Sequence, residues 1–339
     1  MNPESTPLLS KPILLFVNPA SGGGLGLRLM ELLANVNNVY IVQLPSEQNT
    51  WPEKYSNVVG NPELRAAVAG GDGSVNWVVT LLSNYYTGSF RPPLAVIPFG
   101  TGNDMSRSLG WGKGMSNSHL LQIGRLIENI ESSTHIEDVD VWSVTIHDKI
   151  KNETKTSQMI NYLSFGTDAA IAVDYEGIRR SCQPFLCCQC MSQSLFVPAG
   201  ILNMCGKRDL NEYMSVDLVG LDGWNEDVPQ RMKNSNGDKT LIFMSSKTIY
   251  GGKSIWKGQS PQMMNDGKFE VISNGGLIKV SLVNINVNLS HSYGQASAAR
   301  IETFEPCFYQ IDGEGSSMNN PAIFDLVHMG TYPLLFNMK

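Results

Sequence analysis

Charge is scarce in this chain: only 17% of its 339 residues are Asp, Glu, Lys or Arg, well below the usual share. The 25 Lys+Arg against 31 Asp+Glu leave a formal net charge of −6. A generally basic nucleic-acid binder is thereby excluded, and any contact with anionic lipid must come from a local cluster. Low charge beside 42% hydrophobic residues also excludes disorder of the bulk. Cysteine is scarce too. Six unevenly spaced Cys make no disulfide framework and fit a reducing compartment. The longest uncharged stretch, Ser181 to Gly206, contains Gln183, Pro184, Gln189, Gln193, Pro198 and Asn203, too polar for a spanning helix. Met1 to Ser10 lacks the charged start and apolar core of a secretory signal, so the Asn152 and Asn288 sequons carry no weight. The expectation is a cytoplasmic protein that at most rests on a membrane.

Glycine, by contrast, is plentiful, with 32 positions, and its placement is patterned. The apolar run Ile13–Val17 leads into Asn18-Pro-Ala-Ser-Gly-Gly-Gly24, then Leu29, Leu32, Leu33 and Val36 recur at helical spacing. Ala66–Ala69 leads into Gly70-Gly-Asp-Gly-Ser74 and a Val75, Val78, Val79, Leu82 stripe. Leu94–Ile97 leads into Pro98-Phe-Gly-Thr-Gly-Asn-Asp104. Three strand–glycine turn–helix units predict a parallel α/β sheet with its ligand at the carboxyl ends of the strands.

From Val141 the texture changes to short strand-like runs: Val141–Ile146, Tyr162–Phe165, Met214–Leu218, Leu241–Met244 and Phe269–Ile272. Ile285, Val287 and Leu289 alternate with asparagines in the strand period. Helical signal is sparse here. The predicted organisation is an α/β nucleotide-binding domain over 1–140 and a larger, mostly antiparallel β-sandwich over 141–320. A tail over 321–339 is expected to pack back on the first domain. No sequence feature sets the oligomeric state.

Phosphate binding needs several backbone N–H groups aimed at one spot, which glycine permits. The dinucleotide fingerprint fails, because the third position after Gly24 and Gly26 is Leu29; Gly252-Lys253-Ser254 mimics the end of a Walker loop without its earlier glycine. Asp72, between glycines and directly before a helix, suits a magnesium ligand or a proton acceptor; alone, it would read equally well as a helix N-cap. Asp104 opens the next helix similarly and Asp140 follows the Ile136–Val139 segment, so the three are expected to share one metal–water network.

Asn18-Pro-Ala-Ser-Gly-Gly, Val68-Ala-Gly-Gly-Asp-Gly-Ser-Val-Asn-Trp-Val78 and Pro92-Pro-Leu-Ala-Val-Ile-Pro-Phe-Gly-Thr-Gly-Asn-Asp104 closely resemble the eukaryotic diacylglycerol kinases. The resemblance continues, in order, through Asp140-Val-Trp142, Asn161–Ala169, Tyr250–Trp256, Asp266-Gly267, Gln295–Thr303 and Gln310-Ile-Asp-Gly-Glu314. It implies an ATP-dependent lipid kinase of two domains, using Mg²⁺ and meeting diacylglycerol by reversible peripheral membrane contact. It carries phosphate binding to Asn18, Ser21, Gly22, Gly23, Gly71, Gly73, Ser74, Thr101, Gly102 and Asn103. The metal carboxylates it implies are Asp72, Asp104 and Asp140, with a further site at Asp266. The catalytic carboxylates are Asp72, Asp312 and Glu314; either Asp72 or Glu314 is the base, and Glu314 is favoured because a late-acting base need not be strong. Without the family, Asp312-Gly-Glu314 would read as a turn with two solvated acids. Ser74, Pro45-Ser46 and Gly315-Ser-Ser317 depart from the family pattern. Alternatives are a kinase of another lipid alcohol (a sphingoid base, ceramide or monoacylglycerol) and an inactive lipid-binding scaffold.

Cys187-x-x-Cys190 has zinc-ligand spacing, yet no His lies near; free thiols and S-acylation are the other readings. The stretch Pro184–Leu202, bracketed by Arg179-Arg180 and Lys207-Arg208, has the composition of an interfacial segment and is the expected membrane contact.

Overall fold

The computed structural model describes residues 9–182, 209–221, 229–233, 237–275 and 288–337. They form two compact units. One runs to Val139 and takes in residues 332–337; the other spans Asp140 to Thr331. The Pro184–Leu202 segment, Cys187, Cys188, Cys190 and Cys205, and Ile285 and Val287 lie outside the described residues.

In the first unit, β1 (Ile13–Val17), β2 (Val39–Gln43), β3 (Arg65–Gly70) and β4 (Leu94–Pro98) form a sheet in the order β2-β1-β3-β4. Every pairing is parallel. Strands β1, β3 and β4 are buried at every position, as continuous apolar runs should be when helices cover both faces. The helices of this unit are α1 (Leu25–Leu33), α2 (Trp51–Lys54), α3 (Asp72–Tyr85), α4 (Asp104–Ser108), α5 (Asn117–Leu120) and α6 (Ile123–Ser132). The stripe Val75, Val78, Val79 and Leu82 of α3 is buried throughout, worth roughly 1.5–3 kcal/mol per side chain. On α1 only Leu29 and Leu33 of the expected stripe face inward; Leu32 is exposed and the helix stops before Val36. The end of the chain adds to this sheet: Leu334 lies opposite Leu94 in parallel register. The Trp111 indole donates to Leu335 O at 2.6 Å and the Tyr332 hydroxyl to Pro92 O at 3.0 Å.

The second unit is built from β5 (Ile136–Asp148), β6 (Glu153–Met159), β7 (Tyr162–Gly166), α7 (Thr167–Cys182), β8 (Met214–Val219), β9 (Gln230–Arg231) and β10 (Thr240–Met244). It continues with β11 (Phe269–Asn274), β12 (His291–Ala296), β13 (Ala298–Thr303), β14 (Cys307–Ile311), β15 (Glu314–Met318) and β16 (Ala322–Leu335). One antiparallel sheet runs β12-β11-β10-β7-β14-β15. The other carries β16-β13-β8-β9, with β5 pairing both β16 and β6. Alternate residues of the two sheets fill one core, the arrangement of a sandwich. Its aromatic rings meet edge-on, Phe165 against Phe324 at 4.9 Å and Trp142 against Phe269 at 5.0 Å. Helix α7 is a departure from the sequence reading. Its alanine-rich first half, Ala169, Ala170, Ile171 and Ala172, is wholly buried, so it shows no polar face to reveal a helical period. No described helix is long and apolar enough to cross a membrane.

Candidate active site

Strands β1, β3 and β4 are neighbours, so the three glycine turns that leave them stand side by side at the carboxyl edge of the sheet. In the first, Asn18 accepts from Ala20 N through its side chain (3.1 Å) and from Ser21 N through its carbonyl (3.0 Å). Gly22, Gly23 and Gly24 follow with φ of 64°, 68° and 96°, three consecutive left-handed residues that only glycine adopts without strain. The second and third turns touch: a Cβ on Gly100 would lie 2.3 Å from Gly71 Cα. Gly100 is therefore required by close approach of backbone, independent of any ligand, and a Cβ on Gly71 would be crowded at 3.0 Å from Gly100 Cα.

Asn103 shapes the third turn. Its backbone is left-handed (φ 54°) and its side chain is buried. The carboxamide accepts from Gly100 N (2.8 Å) and donates to Gly100 O (2.8 Å) and Lys113 O (3.1 Å). Arg107 clamps the same turn by donating from Nε to Gly102 O at 3.0 Å. Gly71 is the N-cap of α3, with Gly73 and Ser74 in its first turn, and as a glycine it offers no side-chain cap of its own.

Asp72 is the first residue of α3, after the N-cap Gly71. It caps a different helix: Oδ1 accepts from Met105 N (2.9 Å) and Oδ2 from Asp104 N (3.1 Å), at the start of α4. The Asp104 side chain is buried beside it. A Cβ built on Gly102 would lie 3.3 Å from both Asp72 Oδ2 and Asp104 Oδ2. Two carboxylate oxygens thus converge on a spot that any side chain would fill. Carboxylate oxygens are the hard donors that Mg²⁺ takes.

The second unit carries the remaining carboxylates. Asp140 is buried; its Oδ2 accepts from Gly267 N (2.9 Å) and its Oδ1 from His328 Nε2 (2.7 Å). The neighbouring Asp266 is held above the ordinary carboxylate range by desolvation and, further, by the charge of Asp140. Among the described residues, no three His, Cys, Asp or Glu side chains group to hold a metal. Of the expected trio, Asp72 and Asp104 belong to the first unit and Asp140 to the second.

Asp312 is not a solvated acid. It and Gly313 (φ 50° and 87°) form the two-residue turn of the β14–β15 hairpin, with Ile311 paired to Glu314, the left-handed geometry that Asp-Gly favours. The Asp312 carboxylate points inward and accepts from Ile160 N (3.0 Å), Asn161 N (2.7 Å) and Tyr162 N (3.0 Å). Its own N–H returns to Tyr162 O at 2.9 Å. Burial pushes its carboxyl up to about 7 against the pull of the three amides, with Glu314 adding to the rise. Asp312 thus fastens the hairpin from beneath, while Glu314 is exposed at its surface. Its geometry is that of a positioning residue.

Three features escaped the sequence reading. Asp168, at the start of α7, accepts from Ser164 Oγ (2.6 Å) and Gln310 Nε2 (2.5 Å), and the nearby Tyr250 side chain also favours its charged form. The Tyr250-Gly-Gly turn thereby lies beside helix and sheet. Glu270 is buried on β11, receives Gln295 Nε2 at 3.0 Å and is pushed up to about 7 by burial. Gln295 was visible as part of a motif, but its partner was not. His328 carried no signal at all, since a lone His on a strand has no local spacing to read.

Together these features define a class of protein: a parallel α/β unit with phosphate-type glycine turns and paired carboxylates, followed by an antiparallel sandwich. The model for the diacylglycerol kinase catalytic domain matches residues 12–141 and that for the diacylglycerol kinase accessory domain residues 158–315. The chain belongs to the diacylglycerol kinase family. Diacylglycerol kinase 2 of Arabidopsis thaliana is 28% identical over 340 residues, covering 95% of this chain and 45% of its own length. Human diacylglycerol kinase iota is 25% identical over 336 residues, covering 93% of this chain and 30% of its own. The chain therefore spans less than half the length of these relatives. The crystal structure of a diacylglycerol kinase from Bacillus anthracis str. Sterne shares the fold, with a TM-score of 0.55 at 18% identity over 97% of each chain.

Proposed function

We propose that this chain transfers the γ-phosphate of ATP to the free hydroxyl of 1,2-diacylglycerol, giving phosphatidic acid and ADP. The observation that carries the reading is the pairing of Asp72 and Asp104 oxygens over Gly102, beside the three glycine turns. In this reading the turn amides around Ser21–Gly23, Gly71–Ser74 and Thr101–Asn103 hold the nucleotide phosphates. Asp72 and Asp104 hold Mg²⁺, which supplies charge neutralisation on the phosphates. Asp140 and Asp266 provide cation support from the second unit. Glu314 takes the proton of the acceptor hydroxyl late in the transfer, and Asp312 fixes the hairpin that presents it.

Labelled ATP, Mg²⁺ and a panel of lipids in mixed micelles test this. Transfer to diacylglycerol is expected to exceed transfer to sphingosine, ceramide and monoacylglycerol. Preference for one of those three replaces diacylglycerol as the acceptor; transfer to none, with ATP still bound, leaves a lipid-binding scaffold.

The chain is further proposed to be a cytoplasmic protein that meets its lipid at a membrane surface through Pro184–Leu202. Leu186→Asp with Phe196→Asp should sharply reduce co-sedimentation with liposomes. Unchanged co-sedimentation assigns the contact elsewhere.

A further inference from the structure

The exposed face of β16 presents one polar side chain to a buried acid. His328, about one-third exposed, reaches Asp140 Oδ1 with its Nε2 at 2.7 Å, while Asp140 itself is 1% exposed. The contact puts the hydrogen on Nε2, since a carboxylate offers only lone pairs.

Three separate pieces of chain meet at this carboxylate. Asp140 lies on β5, and its backbone N–H donates to Met264 O at 2.7 Å. Gly267, in the turn that carries Asp266, donates its N–H to Oδ2 at 2.9 Å. His328 holds Oδ1 from β16. The imidazole is itself fixed: its ring meets Trp142 edge-on at 5.1 Å, and Trp142 is anchored by its indole N–H to Ser245 Oγ at 3.1 Å.

A carboxylate held through one oxygen can still swing about its χ2 bond. One held through both oxygens has a fixed plane and fixed remaining lone pairs. We infer that His328 is a positioning residue for the cation-handling carboxylates of the second unit, setting the plane in which Asp140 presents its free lone pairs beside Asp266. The inference rests on the reading of Asp140 and Asp266 as magnesium-supporting residues. Indirect partners of this kind usually set metal affinity more than they set substrate affinity.

The consequence is a selective defect. Purified His328→Ala and His328→Phe variants should need about ten-fold or more Mg²⁺ for half-maximal activity, with KM for ATP and diacylglycerol within about two-fold of wild type. Mn²⁺ titration followed by the electron paramagnetic resonance of the free ion should show binding weakened by a similar factor, without any turnover. His328→Gln, whose amide nitrogen reaches about as far as Nε2, should recover most of the affinity. His328→Phe keeps a ring against Trp142, so it separates the lost donor from lost packing should the alanine variant fail to fold.

Unchanged Mn²⁺ binding in His328→Phe overturns the inference. So does an equal loss in His328→Phe and His328→Gln, a parallel rise in all the KM values, or a wild-type protein that binds no Mn²⁺. Wild-type protein that transfers phosphate to no lipid, yet binds Mn²⁺ in a His328-dependent way, would overturn the kinase reading and leave this inference standing.

Discussion

Replacing Asp72 by alanine should lower kcat for lipid phosphorylation by about a thousand-fold, equivalent to about 4 kcal/mol of transition-state stabilisation. The same substitution strips the acceptors from Asp104 N and Met105 N. Loss of two amide partners at a helix start costs about 1–3 kcal/mol, so thermal unfolding should also shift downward. Asp72→Asn separates these effects. Its remaining oxygen still accepts an amide hydrogen, so most of the stability returns, but a neutral carboxamide cannot replace the anionic oxygens proposed to hold Mg²⁺ and activity is expected to stay low. ATP binding, measured by titration, should survive in both variants, because Gly22–Gly24 and the Gly71–Gly100 contact are untouched. An Asp72→Ala enzyme that keeps more than about a tenth of wild-type kcat would remove Asp72 from the chemistry and leave it as a cap for α4.

The reasons why some of this was legible and some was not are physical. Strands β1, β3 and β4 announce themselves because a strand buried on both faces must be apolar throughout, and their turns because consecutive left-handed backbone demands glycine. These signals are local: a few residues of sequence carry them. Strand β8 is equally local, its alternation of Met214, Val216 and Leu218 inward being the period of a sheet with one dry face. The site beyond the turns is different. Asp312 meets residues about 150 positions earlier, and His328 meets Asp140 across 188 positions. Nothing in the neighbourhood of either residue encodes the partner. Read without the family, Asp312 is a solvated acid for the same reason: the Asp-Gly pair encodes its turn, but which way the carboxylate points is decided by the amides of Ile160 to Tyr162. Asp72 shows the same limit. Its place before α3 suggested a cap, and it is one, but for α4, which β4 brings alongside.

Asp312→Ala should therefore be among the most destabilising single changes in the second unit, at about 3 kcal/mol or more, because three buried amides lose their acceptor together. Its pH dependence is the sharper test. The folded-state carboxyl lies at about 7, whereas an unfolded Asp titrates near 4, roughly three units lower. Between those values the folded chain binds more protons than the unfolded one, so unfolding free energy falls as pH rises. This contribution is fully present below about pH 4 and is lost, to the extent of a few kcal/mol, by the time pH passes about 7. Glu270, also raised to about 7, adds a slope of the same sign. In Asp312→Asn the Asp312 part of the slope should vanish, leaving the shallower dependence from Glu270, and chemical denaturation at several pH values between about 5 and 8 measures it. Parallel stability curves for wild type and Asp312→Asn would show that Asp312 does not titrate in this range. Glu314→Gln supplies the contrast. Glu314 is exposed and two residues further along the same hairpin, so its amide variant should leave stability near wild type while lowering kcat by about a hundred-fold if it accepts the hydroxyl proton. Asp312→Asn should lower kcat less than Glu314→Gln at a pH where both remain folded, because the first loosens a turn and the second removes the proposed base.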